Sequence, residues 1–306
     1  MTKTSSKLTI WRGELTSKSQ LLRRGLYYIS PGLWWILLFL AIPSLLLIVI
    51  SMTTRGTYGE IEWVFNLGNF ERLAGFGLFG WSADYLLILW RSICVAFWTT
   101  LICILIAYPL CFHIANRPER SRYAWLTLLI IPFWTNLVIR AYSWLLVLAP
   151  QMPFAKFAAS MGFIPAGSPL YPSGLAVYLG MVGTFLPFVA MPLYSTVEKL
   201  DWALVEAAND LYAGKARVFW HAILPQTIPG LSVGITFTFV PAMGMFVVPD
   251  FLGGAKYMMV GNLIQQQFGT SRDWPFGAAI SLCLIVMTLA GLHLQRKYVK
   301  QGGDLV

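Results

Sequence analysis

Residues 205–230 read VEAANDLYAGKARVFWHAILPQTIPG, a polar stretch that separates two long apolar ones. Just ahead of it, Asp201 is placed to cap a helix, because its carboxylate can accept a hydrogen bond from a free N–H group of the first turn. Apolar and small residues follow at helical spacing, and acidic residues occupy the flank. The apolar positions are Leu204, Ala207, Ala208 and Leu211, and the acidic ones are Glu206 and Asp210.

The second half of this stretch predicts another short helix. Gly214 is expected to end the first helix in the left-handed conformation, which glycine adopts at little cost. Val218, Phe219 and Ile223 then form an apolar face, and Pro225 is expected to break the second helix. The two helices predict a hairpin over residues 198–229, whose apolar face enters a groove on a soluble partner. The alternative is an amphipathic loop that lies on the membrane.

Six segments around this hairpin are long and apolar enough to cross a bilayer, which takes about 20 residues as a helix. They are residues 33–52, 92–112, 124–148, 175–197, 228–248 and 275–294. Only 11% of the 306 residues are charged and 57% are apolar, whereas about a quarter of a soluble domain is charged. The composition excludes a soluble globular protein and predicts an all-α membrane protein with six transmembrane helices.

The distribution of Lys and Arg predicts the orientation. Fifteen of the 22 basic residues lie in the two tails and in the second and fourth connections, and only five lie in the other connections. Since cytoplasmic loops carry the excess of basic residues, both termini are expected in the cytoplasm. The net charge of +9 therefore reflects the membrane topology. No nucleic acid is expected as a partner, because a nucleic-acid-binding protein concentrates its positive charge on a soluble surface.

These patterns divide the chain into four parts. Residues 1–30 are expected to form a cytoplasmic tail, and residues 31–85 the first transmembrane helix with a partly structured periplasmic loop. Residues 86–296 form the transmembrane core, including the hairpin, and residues 297–306 a cytoplasmic C-terminal tail. The core is the part to which the functional motifs belong.

One motif in residues 205–230 resembles the coupling loop of binding-protein-dependent ABC importer permeases. It consists of Glu206, Ala207 and Ala208, a later glycine, and then Ile223, Leu224 and Pro225. This resemblance implies the type-1 importer (MetI-like) fold. One position departs from the family pattern, which usually has glycine six residues after the glutamate, because Tyr212 stands there. The residues then implied to contact an ATPase are Glu206, Ala207, Ala208, Asp210, Tyr212, Gly214, Phe219 and Pro225.

A narrower resemblance covers most of the membrane domain. The blocks are IPFWTNLVIRAYSW (131–144), LPFVAMPLYSTVEKLD (186–201), VPAMGMFVVPDFLGGAK (240–256) and RDWPFGAA (272–279). In this order they look like the PotB-type permeases of spermidine/putrescine importers. The resemblance implies a second, PotC-like permease, two PotA-like ATPase subunits, and a PotD-like periplasmic protein that delivers polyamine. It also implies that ATP and Mg²⁺ bind to the ATPase and that this chain has no cofactor of its own, and the sequence contains no G-x-x-x-x-G-K-[ST] phosphate loop.

Arg140 lies inside the third predicted span, where an arginine costs roughly 2.5 to 3.5 kcal/mol on insertion scales. A fixed positive charge repels a polycation, so Arg140 is expected to act indirectly, by pairing with helix-end carbonyl groups or a carboxylate. It would then fix a break in the span near Pro132 and Pro150. The alternative is that the span tilts and Arg140 extends to the membrane surface.

Contacts with a polyamine are expected from carboxylates and aromatic faces, which both attract ammonium groups. Asp250 is the leading carboxylate, because Pro241, Gly244 and Pro249 disrupt the fifth span around it. The other candidates are Phe246, Trp134, Asn136, Tyr142, Trp144 and Tyr178. The aromatic residues have an alternative reading as lipid-facing or interfacial side chains. Asp273 is expected to brace the last periplasmic loop against Arg272 or a helix end.

No catalytic residue or metal is expected. The four cysteines lie inside spans without zinc-site spacing, and the three histidines have no adjacent nucleophile pattern. The predicted function is a permease subunit that forms half of the pathway of an ATP-driven polyamine importer. The alternatives are a permease for another small solute, such as phosphonate, iron or thiamine, and a self-sufficient secondary carrier.

Overall fold

The computed structural model describes residues 25, 27–77, 80–165 and 167–303, with side chains up to residue 295. In this part of the chain, five helices are long and apolar enough to cross a membrane, and a bent pair is the sixth crossing when its two halves are taken as one broken span. The crossings are α1 (Tyr27–Ser51), α3 (Asp84–Ala115), the pair α4 (Glu119–Ile130) and α5 (Leu137–Val147), α7 (Gly174–Val197), α9 (Lys215–Met243) and α12 (Trp274–Gly303). Between them lie the short helices α2 (Gly68–Leu73), α6 (Pro153–Ser160), α8 (Trp202–Asp210), α10 (Val247–Gly253) and α11 (Val260–Phe268). The predicted all-α fold with six spans is confirmed.

The first span begins earlier than the predicted tail boundary at residue 30. Residues 27–30 are already helical, and Ser30 Oγ donates a 2.8 Å hydrogen bond to the carbonyl oxygen of Tyr27. Pro31 has no N–H for that carbonyl, so the serine hydroxyl takes the place of the missing donor. The rest of the predicted tail, residues 1–24, lies outside the described residues.

The connection after α1 is partly structured, as predicted. Two antiparallel pairs, β1 (Thr54–Arg55) with β2 (Ile61–Glu62) and β3 (Phe76–Gly77) with β4 (Gly80–Trp81), flank α2. Asn69 Nδ2 on α2 donates to the carbonyl oxygens of Ser51 and Thr53, at 2.9 and 2.8 Å. These two bonds satisfy carbonyl groups at the end of α1 and fasten the connection to it.

The centre of the molecule is the packing of α3 against α7, with α9 against both. Small residues line this contact: Cys103 and Cys111 of α3 are fully buried and their thiols donate to the carbonyl oxygens of Val182 and Ala190. The four cysteines are free and lie within spans, as predicted. Small side chains permit close approach of helices, which is the main source of packing energy inside a membrane.

Two glycines let α9 approach α7 even more closely. A Cβ atom at Gly230 would overlap the carbonyl oxygen of Pro192 and the hydroxyl of Thr196, and one at Gly234 would lie 3.1 Å from the Cα of Val189. Glycine is the residue that allows such backbone contact. The two spans on either side of the 198–229 connection are thereby held as a tight pair.

The third crossing is not one continuous helix over 124–148. The chain turns by 99° between the segments Glu119–Trp134 and Leu137–Val147. Pro132 lies in a 3-10 turn (Ile131–Trp134) and Thr135 is extended, since proline cannot continue α-helical hydrogen bonding. The predicted break near Pro132 is therefore present, whereas Pro150 lies beyond the end of α5.

The fifth crossing ends at Met243, ahead of its predicted end at residue 248. Gly244 is the C-terminal cap of α9, and the chain turns into α10 and then α11. The last crossing extends in the other direction. Its backbone is helical to Gly303, so most of the predicted tail 297–306 continues the helix, and residues 304–306 lie outside the described residues.

Candidate functional site: the 198–229 connection and the broken spans

The first helix of the 198–229 connection begins as the sequence predicts. Asp201 Oδ1 accepts a 3.0 Å hydrogen bond from the backbone N–H of Ala203. This bond satisfies one of the free donors in the first turn of α8.

The turn between the two helices lies at Tyr212 instead of Gly214. Tyr212 N–H donates to Asn209 O at 2.9 Å and Ala213 N–H donates to Ala208 O at 3.1 Å, which is the hydrogen-bond pattern of a Schellman motif. In this motif the residue that takes the left-handed conformation is Tyr212, with φ of 56°. Gly214 has φ of −63° and caps the next helix, so the prediction for Gly214 is wrong.

The prediction that Pro225 breaks the second helix is also wrong. The helix runs without interruption from Lys215 to Met243, so the second arm of the hairpin is the start of the fifth span. A π-helical turn over Phe219–Ile223 directly precedes Pro225. In this wider turn the N–H of Leu224 donates to the carbonyl oxygen of Phe219, and the helix continues through Pro225 without a break. The same arrangement occurs in α1, where a π-helical turn over Leu37–Ala41 precedes Pro43.

The two arms pack through a small apolar cluster. Val205 of α8 and Val218 of α9 are buried, with Leu200, and the partly buried Ala208, Ala222 and Ile223 pack against them. The predicted apolar face is therefore divided: Ala208 points inward, whereas Leu204 and Leu211 are 53% and 82% exposed. Helix α8 turns these two side chains away from the membrane domain.

The outer side of the hairpin carries large exposed side chains. We call this set the exposed hairpin surface; its members are Trp202, Leu204, Leu211, Tyr212 and Trp220. Glu206, Ala207 and Asp210 are exposed as well. Phe219 and Pro225 are half-buried and belong to the support of the hairpin. Large apolar side chains that are exposed on a short hairpin between two spans are candidates for a protein-protein contact.

Hydrogen bonds fasten the base of the hairpin to the spans. Gln226 Oε1 accepts from the N–H of Asp201 at 2.9 Å, and Gln226 Nε2 donates to Ala222 O at 2.8 Å. Close to this point, the hydroxyl groups of Tyr108 and Thr227 lie 2.9 Å apart and join α3 to α9. Gln226 and Tyr108 carry no signal in the sequence, because only the fold brings their partners close.

An ion pair joins the hairpin to the second connection. Arg122 Nη1 of α4 donates to Glu198 Oε1 at 2.7 Å, and Arg122 Nη2 donates to the carbonyl oxygen of Ala115 at 3.2 Å. Each contact is partly exposed to solvent and therefore contributes little to stability on its own. Together with Gln226 and Tyr108, they connect the hairpin to α3 and α4 and to the end of α7.

Arg140 contacts a carbonyl group, which is one of the two pairings expected from the sequence. Its Nη1 atom donates to Pro132 O at 3.1 Å, across the 99° bend. Pro132 O also accepts from the N–H of Thr135 at 3.4 Å and from its hydroxyl at 2.6 Å, so Arg140 adds a third donor to a carbonyl group at the bend. Asn136 caps α5 through a 2.8 Å bond from Val138 N–H. Both polar residues therefore stabilise the bend.

The other pathway candidates separate into two groups. Asp250 and Phe246 are exposed and lie at α10, and the ring of Tyr142 is 4.7 Å from that of Phe251, the next residue after Asp250. Trp134 is 83% exposed in the 3-10 turn. Trp144 and Tyr178 are half-buried, and Trp144 packs over Gly183 of α7. The fold thus brings Tyr142 next to the Asp250 segment, while Trp144 serves as packing between α5 and α7.

A cavity of about 300 Å³ opens beside the bend. It is almost wholly apolar, and the rings of Phe133 and Phe188 meet within it at 4.8 Å. Its lining residues are Ile130, Phe133, Pro187, Phe188, Met191, Pro192 and Phe237. These residues could not be found from the sequence, because they come from three separate spans.

On the opposite side of the spans, Asp273 pairs with Arg72 and not with Arg272. Arg72 Nη1 lies 2.8 Å from Asp273 Oδ2, while Asp273 Oδ1 accepts from Phe276 N–H at the start of α12. The expected contact with a helix end is present, and the expected partner Arg272 is wrong. Partial burial favours the neutral form of Arg72, but its hydrogen bonds to Asp273 and Tyr85 outweigh this and raise its pKa.

Among the residues that the structure describes, no group of three or more His, Cys, Asp or Glu side chains is close enough to hold a metal ion. The features that remain are a helical hairpin fastened to the spans, a bent third crossing, and an apolar cavity beside the bend. This combination suits a membrane permease that works with a partner protein, as the comparison with known families shows.

The chain belongs to the family of binding-protein-dependent transport system inner membrane components, whose model matches residues 112–300. It is 40% identical over 253 residues to the spermidine/putrescine transport system permease protein PotB of Salmonella typhimurium (strain LT2), covering 83% of this chain and 86% of that protein. PotB of Escherichia coli (strain K12) is also 40% identical, with 83% and 90% covered. A bacterial alginate ABC transporter chain has the same fold, with a TM-score of 0.68 at 16% identity over 92% of this chain and 98% of that chain.

Proposed function

We propose that this permease forms half of the translocation pathway of a polyamine importer and that its substrate is spermidine or putrescine. The similarity to PotB proteins over 83% of the chain supports the substrate class. The partners are then a PotC-like permease, two PotA-like ATPase subunits and a PotD-like periplasmic protein. ATP and Mg²⁺ bind to the ATPase subunits, and this chain has neither a cofactor nor a hydrolytic activity of its own.

The observation that carries the coupling role is the hairpin of α8 and the start of α9. It presents the exposed hairpin surface to a partner and is fastened to the spans through Gln226, Tyr108 and Arg122. Closure of the ATPase pair would move the hairpin, and the tight contact at Gly230 and Gly234 would make α7 and α9 move with it. A rocking motion of packed helices of this kind opens a central cavity to alternate sides.

In this arrangement both termini and the hairpin lie in the cytoplasm. The excess of Lys and Arg in the tails and in the second and fourth connections supports this orientation. Labelling with a membrane-impermeant thiol reagent tests it in a variant without the natural cysteines. Cysteine at Leu211 should react only from the cytoplasmic side, and cysteine at Tyr58, which is 90% exposed, only from the periplasmic side. The reverse pattern would overturn the orientation.

The pathway is expected to offer weak contacts for a polycation. Asp250 supplies a carboxylate, and Phe246 and Tyr142 supply aromatic faces near it, which attract ammonium groups. The apolar cavity beside the bend suits the methylene segments between the charges. A site made of weak, separate contacts allows the substrate to leave as well as to enter.

The experiment that tests the coupling role uses the complete importer in liposomes, with ATP inside and radiolabelled spermidine outside. Glu206→Lys and Ala207→Asp each place a charge change on the exposed side of the hairpin and should abolish uptake, while both variants still insert into the membrane. Lys156→Gln, on another connection, is the matched control and should transport normally. Normal uptake by both hairpin variants would refute the coupling assignment.

Competition assays test the substrate. Spermidine and putrescine should compete with labelled spermidine, whereas phosphonate, iron and thiamine should not. Uptake driven by a gradient alone, without ATPase or binding protein, would instead favour a secondary carrier.

A further inference from the structure

We propose that the Tyr212 side chain is an anchor that inserts into an apolar pocket of the ATPase subunit, and that it restricts which ATPase this permease accepts. The inference rests on the proposed coupling function and adds to it a residue that selects the partner. It is carried by the backbone of Tyr212, by the exposure of its ring, and by its position in the hairpin.

The backbone at this position favours glycine. Tyr212 is one of two non-glycine residues with positive φ in the described part of the chain, at 56°, and the other is Arg272 at 49°. In the left-handed conformation Cβ lies close to the following carbonyl oxygen, which costs steric energy. Glycine has no Cβ and avoids this cost. A tyrosine here thus opposes the local fold, and strained positions of this kind cluster at functional sites.

In the part of the chain that the structure describes, no packing contact accounts for the Tyr212 ring. Tyr212 is 98% exposed, so its side chain has almost no packing with the rest of the hairpin. The hydrogen bonds of the turn use its backbone N–H and the N–H of Ala213, and any residue with this backbone would keep them. We therefore assign the benefit of the side chain to a contact with a partner protein.

The position of the ring matches a docking contact. Tyr212 lies at the turn that joins the two arms, next to Leu211, which is 82% exposed, and on the same hairpin as Trp220, which is 63% exposed. The ring is therefore continuous with the exposed hairpin surface that the ATPase is proposed to cover. Tyrosine is enriched among the residues that dominate binding energy, because it buries a large area at a low cost in side-chain entropy.

The Schellman turn also presents the ring in a defined direction. Its two backbone hydrogen bonds and the cluster of Val205 and Val218 beneath it limit the motion of the turn before binding. A contact group held in place loses less entropy when it binds. The matching pocket would be apolar in its body, with a hydrogen-bond acceptor for the phenol at its rim, and an ATPase without that pocket would clash with the ring.

The test measures the affinity of the purified two-permease complex, in lipid nanodiscs, for the ATPase subunit of the same importer. Tyr212→Gly should weaken binding by about tenfold, as expected for removal of a buried tyrosine anchor. Tyr212→Phe keeps the ring and should remain within about threefold of the natural protein. Unchanged affinity of Tyr212→Gly would overturn the inference.

Arg272→Gly is the matched control. It removes the other left-handed side chain, on the opposite side of the spans, and should leave ATPase affinity unchanged. Since glycine is favoured at both positions, both variants are expected to fold, and thermal unfolding of the complex checks this. A similar loss of affinity in both variants would show that the effect comes from the backbone change and would overturn the inference.

A second ATPase tests selectivity. When the ATPase comes from an importer whose permease has glycine at this position, Tyr212→Gly should bind it about tenfold more tightly than the natural permease does. Equal binding by the two permeases would exclude the selective role. Glu206→Lys separates this inference from the coupling function. If both Glu206→Lys and Tyr212→Gly leave the affinity for the ATPase unchanged, the coupling function itself fails. If Glu206→Lys lowers the affinity and Tyr212→Gly does not, only the anchor role of Tyr212 is refuted.

Discussion

Arg72 and Asp273 are 201 positions apart in the sequence, and their side chains meet at 2.8 Å. Arg72 lies on α2, in the connection after the first span, and Asp273 directly precedes the last span. The guanidinium group also lies 4.0 Å from the centre of the Phe276 ring and donates to the hydroxyl of Tyr85. The contact joins the ends of α1, α3 and α12 on the side opposite the hairpin.

Asp273→Ala should destabilise the permease. Asp273 is 4% exposed, and its carboxylate both caps α12 and pairs with Arg72, so the loss is expected to be about 2 kcal/mol. Thermal unfolding in detergent measures this as a lower midpoint. Asp84→Ala is the control, because Asp84 is at the surface and contacts only the nearby Ser82. Equal midpoints for the two variants would contradict the bracing role of Asp273.

Gln226→Ala should separate ATPase binding from transport. The variant keeps the exposed hairpin surface but loses the bonds from Gln226 to Asp201 and Ala222. We expect ATPase affinity within about twofold of the natural protein and uptake per ATP hydrolysed reduced by about tenfold, which corresponds to about 1.4 kcal/mol of lost coupling. Gln266→Ala, at an exposed position of α11, should have no effect. Normal uptake in Gln226→Ala would show that this bond does not transmit motion.

Gly230→Ala should disrupt the pair α7 and α9. The added methyl group would overlap Pro192 O, and the helices must separate at a cost of about 1–3 kcal/mol. Gly291→Ala provides a matched helical control, because its methyl group would meet only Phe239, at an ordinary 3.9 Å. Thermal stability and uptake should both fall in the first variant and be preserved in the second. Equal behaviour would show that the close approach at Gly230 is not required.

Asp250→Asn should weaken recognition of polyamine in the pathway. The substitution removes one negative charge and keeps the size, so the concentration of spermidine for half-maximal uptake should rise by about three- to tenfold. ATPase association should not change, because the hairpin is untouched. Asp84→Asn is the control for general loss of surface charge. An unchanged half-maximal concentration in Asp250→Asn would remove this residue from the proposed pathway.

Span positions could be read from the sequence because the bilayer requires long apolar helices. The fourth predicted span, 175–197, differs by one residue from α7 (Gly174–Val197). The break near Pro132 was also predictable, since proline interrupts helical hydrogen bonding. Its angle of 99° was not, because it depends on Arg140 and on packing against α7.

Local turn chemistry misled the prediction where another residue took the role of glycine. Gly214 was the obvious candidate for a left-handed residue, but the Schellman hydrogen bonds form at Tyr212. The apolar cluster of Val205, Val218 and Ala208 fixes where α8 must end. Likewise, Pro225 did not break its helix, because the preceding π-helical turn accommodates it. The contact between Arg72 and Asp273 has no local signal, since its members come together only after the spans assemble.

The uninterrupted path of α9 through Pro225 has a mechanical consequence. Its 29 residues make a rod of about 43 Å at 1.5 Å per residue, which reaches from the turn at Tyr212 to Gly244, close to the segment of Asp250. If the rod pivots near its lower end by about 5°, its far end travels about 4 Å, which is comparable with the width of an extended aliphatic chain. A hinge at Pro225 would absorb that rotation. If an ATPase moves the hairpin as proposed, a helix that stays straight here would carry a small stroke at the hairpin to the opposite side of the membrane.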